Sequence, residues 1–174
     1  MKTISTKTKD PVFELSITTP DGRFVARYSS KGLCSLDFPS ETRRPNGEPP
    51  LTQAPPEVLL WHEVTKRALN DTLMGKHPEN LPPLDLSSGT DFQQRVWQAL
   101  RKISFGRSLS YGQVAEAIGK PKAVRAVGGA CGANPIPVLV PCHRVLAANS
   151  RLGGFSSGLN WKRVLLAREG IKLG

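Results

Sequence analysis

Pro141-Cys142-His143-Arg144-Val145 sets a thiol, an imidazole and a guanidinium side by side, directly after the apolar run Val138-Leu139-Val140. The chain of 174 residues holds only three cysteines and three histidines, so one of each meeting here is informative. A short β-branched run ending in proline predicts a buried strand that stops at Cys142, because proline has no N–H to offer a ladder. Most free cysteines are small buried hydrophobes. Nearby cations instead favour the nucleophilic thiolate, and the basic surroundings predict that Cys142 is reactive. Adjacent strand residues point to opposite faces, so proton transfer from Cys142 to His143 calls for a bridging water or a turn after Pro141.

Outward from this motif the charge is lopsided. Residues 1–90 hold 11 Lys and Arg against 11 Asp and Glu, whereas residues 91–174 hold 13 against 3 and carry the whole net charge of +10. A solvated surface is the plain reading of a basic chain, but confinement to one half points to nucleic acid. The only acids in that half are Asp91, Glu116 and Glu169. Glu169 ends a helical segment over residues 161–168, where the macrodipole disfavours an acid, so a specific partner is expected for it. With 39% apolar residues the chain builds a modest core. No run approaches the roughly 18 apolar residues of a membrane span, and the N-terminus lacks the apolar stretch of a signal peptide. A soluble, cytoplasmic protein without a membrane partner is expected. Cys34, Cys131 and Cys142 are odd in number and widely spaced, which argues against a disulfide framework. No Cys-x-x-Cys or paired His accompanies them, so no metal site and no cofactor are expected.

The first half reads as an antiparallel meander. Strand-like runs cover Phe13 to Ile17, Phe24 to Tyr28 and Leu33 to Phe38, separated by the turn signals Pro20-Asp21-Gly22 and Ser30-Lys31-Gly32. Six prolines within residues 39–56 predict a long irregular loop. A helix over residues 57–73 is expected to turn Leu60, Trp61, Val64 and Ala68 inward. Pro82-Pro83 marks the passage to the second half. There Thr90-Asp91-Phe92-Gln93 is a capping box, followed by Phe92, Val96, Trp97, Leu100 and Ile103 on one face. Ser110-Tyr111-Gly112-Gln113 opens a short helix stopped by Gly119, and a second helix is predicted from about Pro121 to Ala130. Together these form a helix-turn-helix pattern. The second helix is built of small residues around Arg125. Such a helix suits close packing against neighbours, and equally suits entry into a nucleic-acid groove with Lys120 and Lys122 on phosphates.

The motif Pro141-Cys142-His143-Arg144-Val145, with Arg125-Ala126-Val127-Gly128 and Asn134-Pro135 before it, resembles the O6-alkylguanine-DNA alkyltransferases, also called methylated-DNA–protein-cysteine methyltransferases. The likeness runs almost continuously from about Asp91 to Gly170, and the first half resembles the family only in outline. The resemblance implies an α+β fold. Its N-terminal β-rich, RNase H-like domain would cover residues 1–88, with a proline-rich loop and one helix. Its mostly helical DNA-binding and alkyl-acceptor domain would cover residues 89–174, with a winged-helix-like helix-turn-helix and a buried active-site cysteine.

It further implies a suicide reaction in which Cys142 irreversibly takes the alkyl group from O6-alkylguanine, and from O4-alkylthymine, in double-stranded DNA. His143 would act as base through a water, oriented by Glu169. Tyr111 would donate to guanine N3, and Asn134 would pin the turn before the cysteine. Arg125 would fill the space left by the flipped base, with Lys120, Lys122, Ala126, Gly128 and Arg144 as further DNA contacts. Val145, Phe155 and Ser156, with Tyr111, would line the lesion. Many family members carry Tyr where this chain has Phe155, and the position of Ser157 varies. A monomer is implied, with cooperative binding along DNA left open, acting in the nucleoid of a bacterium or the nucleus of a eukaryote. Two other readings of the residues alone stand beside it: a lesion-binding DNA module with a structural Cys142, and a thiol hydrolase using Cys142, His143 and Glu169.

Overall fold

Strands β1 (Phe13–Thr19), β2 (Gly22–Ser29) and β3 (Gly32–Asp37) form an antiparallel sheet in the order β1-β2-β3. The computed structural model describes residues 11–40 and 54–174, so most of the proline-rich loop expected over 39–56 falls outside the described residues. Alternation decides the sheet's buried face: Leu15 and Ile17 from β1 and Phe24, Ala26 and Tyr28 from β2 all point inward. The outer face is polar. There Arg27 bridges the strands, donating to Glu14 at 2.8 Å and to Asp37 at 2.9 Å.

Helix α1 (Pro56–Leu73) covers the inner face, with the predicted Ala68 buried and Trp61 packed against the core, but with Leu60 turned outward. Leu60 is 65% exposed, while Val58, His62, Thr65, Ala68, Leu69, Thr72 and Leu73 are buried. Local hydrogen bonds make polar side chains acceptable on this face. Thr65 Oγ1 donates to Trp61 O at 2.7 Å and Thr72 Oγ1 to Ala68 O at 2.9 Å, and His62 Nδ1 lies 3.1 Å from the Tyr28 hydroxyl. A buried polar group with a partner costs little, so hydrophobicity alone misplaced Leu60 and missed the buried His62, Thr65 and Thr72.

The connection to the second half is itself paired with β3. Leu33 N donates to Pro83 O and Asp85 N to Leu33 O, both at 2.8 Å. Helix α2 (Asp91–Leu100) and helix α3 (Tyr111–Ala117) start at the two expected capping boxes, on Thr90 and Ser110. Helix α4 (Val124–Gly132) begins a few residues later than expected, after a turn through Pro121. Val96, Trp97 and Leu100 bury the inner face of α2, and Trp97 Nε1 donates to Ala130 O at 2.8 Å, tying α2 to α4. A two-residue parallel pair joins β4 (Leu109–Ser110) to β5 (Val145–Leu146), and α5 (Leu159–Arg168) closes the chain. No described helix is long and apolar enough to cross a membrane.

Gly32 shows how tightly the connection seats. Its φ is +137°, and a Cβ there would collide with the Pro83 carbonyl. Gly32→Ala is expected to destabilise the chain by more than about 1 kcal/mol in chemical denaturation. By contrast Gly129→Ala, where a Cβ meets nothing within 4 Å, is expected to be neutral or stabilising because alanine favours a helix. Equal effects of the two would contradict this packing.

Candidate active site

Cys142 does not end a strand. Pro135 and Pro137 withhold ladder donors, and Val138 takes a φ of 74°, which no extended strand tolerates. The expected strand over residues 138–140 is therefore a buried turn, with Val140 N donating to Ile136 O at 2.9 Å and Cys142 N to Val140 O at 2.8 Å. Asn134 holds it from within. Its Nδ2 donates to Val140 O at 2.8 Å and its Oδ1 accepts from Ile136 N at 3.0 Å.

The residues Cys142–Arg144 form a single 3-10 turn. Three residues per turn send the three side chains in three directions, which an extended strand would not do. Cys142, itself only 3% exposed, lines a cavity of about 420 Å³ together with Tyr111, Arg125, Gly128, Cys131 and Phe155. His143 points inward and is fully buried, with Nε2 donating to Glu169 Oε1 at 2.7 Å. That bond fixes the tautomer and leaves the lone pair on Nδ1, which has no hydrogen-bond partner among the described residues.

Arg144 was expected on the DNA, and the structure corrects this. Its guanidinium is buried, donating from Nε to Glu169 Oε2 at 2.8 Å and from Nη1 to Ile103 O at 2.6 Å, with Phe105 over it at 5.6 Å. A buried carboxylate and a carbonyl that both need donors hold this side chain away from any phosphate.

Burial sets the protonation states. It pushes the Cys142 thiol above its ordinary value, against the opposing pull of the Asn134 amide and the Lys162 charge. The expected thiolate at rest is therefore a protonated thiol. Burial also lowers His143, against the raising effect of Glu169, so the imidazole is neutral near pH 7. Burial raises Tyr111 too, keeping its phenol a proton donor, and its hydroxyl donates to Gly154 O at 3.4 Å. For Glu169 burial acts upward, but the hydrogen bonds and charges of His143 and Arg144 win and pull it down to about 2.

Of the remaining expected residues, Arg125 and Ala126 are exposed on α4, and Lys120 and Lys122 are exposed just ahead of it. Gly128 lies beside the Tyr111 ring. Val145 is buried, and its carbonyl accepts from Lys162 Nζ at 2.6 Å. Ser156 is exposed and lines a neighbouring groove with Ser35, Asn134 and Trp161 rather than the Cys142 cavity. Lys162 is the residue that reading the sequence missed. Fully buried, it also donates to Gly154 O at 3.2 Å and sits 5.9 Å from the Tyr111 ring centre. Nothing in its spacing separates it from the solvated lysines.

A family model described as the DNA-binding domain of 6-O-methylguanine DNA methyltransferase matches residues 91–171. The methylated-DNA–protein-cysteine methyltransferase of Haemophilus influenzae is 39% identical over 154 residues, 88% of this chain and 83% of that protein. Its counterpart from Mycobacterium leprae is 40% identical over 154 residues, 88% of this chain and 90% of that protein. Among solved structures, Mycobacterium tuberculosis OGT in complex with DNA superposes with a TM-score of 0.72 at 40% identity, covering 88% of this chain and 90% of that one.

The Glu169 carboxylate generates a pH test. Its folded pKa lies below its ordinary value, so the unfolded chain binds more protons between about pH 4.5 and 2, and its contribution is lost as pH falls through that window. Glu169→Gln is expected to cost about 3 kcal/mol near pH 7, because Arg144 is left buried without its charge partner. The gap from wild type should narrow on acidification toward pH 2, as read by denaturation at a series of pH values. A gap that stays constant would contradict the pairing.

Proposed function

Because this chain belongs to the methylated-DNA–protein-cysteine methyltransferases, we propose that it repairs O6-alkylguanine in double-stranded DNA by moving the alkyl group irreversibly onto its own Cys142. One observation carries the assignment of roles: the Cys142 thiol faces a cavity shared with Tyr111 and Arg125, while the next residue, His143, is locked by Glu169 with its free lone pair on Nδ1.

The chemistry follows from the protonation states. The resting thiol needs a base, and His143 Nδ1 takes its proton through a bridging water, with Glu169 stabilising the imidazolium. The thiolate attacks the alkyl carbon in line. The S–C bond forms as the C–O6 bond breaks, and Tyr111 gives a proton to guanine N3 so that the base leaves neutral. Once the His143 imidazolium returns its proton, through solvent, to the Tyr111 phenolate, the net change is a thiol and an alkylated base becoming a thioether and guanine. A thioether offers no ready route back, so one molecule acts once. O4-alkylthymine presents the same kind of carbon and falls in the same substrate class.

O6 is stacked inside a duplex, so the nucleotide must be extruded at a cost of roughly a few kcal/mol. Arg125, exposed at the cavity on α4, fills the vacated space, and Lys120 and Lys122 hold phosphates as Ala126 and Gly128 let the helix approach closely. Phe155 and Val145 bound the lesion, with Ser156 approaching from the adjacent loop. We read residues 1–88 as an RNase H-like domain and residues 89–174 as the DNA-binding and alkyl-acceptor domain, its α3–α4 pair winged-helix-like. The chain works as a monomer where the DNA is, in a bacterial nucleoid or a eukaryotic nucleus.

Incubation with duplex carrying one O6-methylguanine should add a single methyl group by intact mass, mapped to Cys142. Cys142→Ala should abolish the transfer and keep DNA affinity; transfer that survives would point to Cys131 or Cys34 and sink the assignment. Arg125→Ala should slow repair of duplex at least about tenfold more than reaction with the free modified base, the size of a lost flipping contact of ~1.4 kcal/mol. Equal slowing of both substrates would remove the base-flipping role.

A further inference from the structure

Helix α5 carries two side chains of the site just described, Lys162 within it and Glu169 immediately after it, so its placement matters to the reaction. The N-terminal sheet grips both ends of this helix. At its start Trp161 packs on Phe24 and Phe38, with ring centres 5.8 Å and 4.8 Å apart, and Phe38 also meets Phe155 at 5.9 Å. At its end Arg168 forms a two-bond ion pair with Asp21, Nη1 to Oδ2 and Nη2 to Oδ1, each 2.7 Å.

Asp21 lies in the tight turn between β1 and β2, and its N–H is held by Thr19 Oγ1 at 3.2 Å. The pair is partly shielded, with side chains 31% and 23% exposed. A lone surface ion pair contributes little, but a planar two-bond pair fixes direction as well as distance. The Arg168 backbone is confined too, for a Cβ on Gly75 (φ +71°), just past α1, would collide with the Arg168 carbonyl. The next residue is Glu169, which must receive His143 Nε2, Arg144 Nε and Nη2, and Gly106 N together.

We propose that Asp21 is a positioning residue for alkyl transfer: by holding Arg168 it sets the last turn of α5, and with it the Glu169 carboxylate, against His143. The inference rests on the reading of His143 and Glu169 as the base unit. Asp21 touches neither the sulfur nor the lesion. Its effect is to complete, from the first strand pair, an active site whose cysteine and base unit come from far along the chain, Arg168 being 147 residues on. Among the described residues the charged groups acting on His143 are Glu169, Arg144 and Lys162, and of these Glu169 alone is an anion. If the end of α5 relaxes, the imidazole loses its negative partner and becomes a weaker base.

The test is single-turnover methyl transfer from saturating O6-methylguanine duplex to the full chain, from about pH 5 to about pH 9, the range in which a histidine base titrates. Asp21→Asn is expected to slow transfer about tenfold, the scale of a small misplacement of a catalytic group, and to move the acid limb of the profile to lower pH. DNA affinity should stay within about twofold, since no phosphate contact is touched. The exchange Asp21→Arg with Arg168→Asp should recover part of the rate and restore the profile, and Asp21→Glu provides a milder variant, with melting curves confirming that each is folded. Glu169→Gln is run alongside. Wild-type rate and profile in Asp21→Asn, with Glu169→Gln impaired, would overturn this proposal alone. Slowing without any change in profile, and without rescue by the exchange, would also overturn it, because that marks a merely structural pair. Wild-type behaviour of Glu169→Gln would instead bring down the base assignment, and this inference with it.

Discussion

The buried carboxylate of Glu169 is the constraint around which the second half of the molecule is arranged. A lone carboxylate in that position would be costly, and so would a lone guanidinium or a lone imidazolium. Together they are mutually satisfied: Glu169 accepts from His143, from Arg144 and from Gly106 N. The consequence is geometric as much as energetic. The 3-10 turn after Pro141, the loop after α2 and the end of α5 must all stay within hydrogen-bond reach of one group. The tautomer of His143, on which its proposed role as base depends, is a product of that arrangement.

The same low-polarity surroundings separate the protonation states of the reacting groups. Burial keeps Cys142 and Tyr111 protonated and His143 neutral. The resting protein thus holds a thiol, a phenol and a free base, the starting state that the proposed proton transfers require. A permanent thiolate would react with any electrophile that entered. A buried thiol that ionises only beside an engaged base is better matched to a protein that is consumed by its single reaction. Lys162 shares this logic, since its charge lies close enough to favour the thiolate while its donors are taken by Val145 and Gly154 carbonyls.

Much of the architecture was legible in local patterns. The period-two alternation of Leu15 and Ile17 and of Phe24, Ala26 and Tyr28 marks a sheet with one dry face, and the structure has it. Thr90 with Gln93, and Ser110 with Gln113, announce helix starts because each side chain meets donors only a turn away. The failures share one cause. On α1 hydrophobicity finds Ala68 but misplaces Leu60 and passes over Thr65, Thr72 and His62, which satisfy their polar atoms through partners that it does not register. The run Val138-Leu139-Val140 looks like a strand, yet the prolines on both sides and the Asn134 side chain fold it into a turn.

The amino-acid sequence alone determined which family the chain fits and singled out the residues proposed to carry its chemistry: a rare thiol beside a rare imidazole, in a basic half preceded by a helix pair of small residues. These are matters of residue type and short spacing, and they survive without coordinates. The tertiary structure decided which way each side chain faces and what it titrates against. Arg144 is indistinguishable by sequence from a phosphate ligand, and Lys162 from a solvated lysine, yet both are buried against acceptors. Orientation and desolvation arise from contacts between segments distant in the chain, as between Glu169 and His143 or Asp21 and Arg168, and no local pattern encodes them.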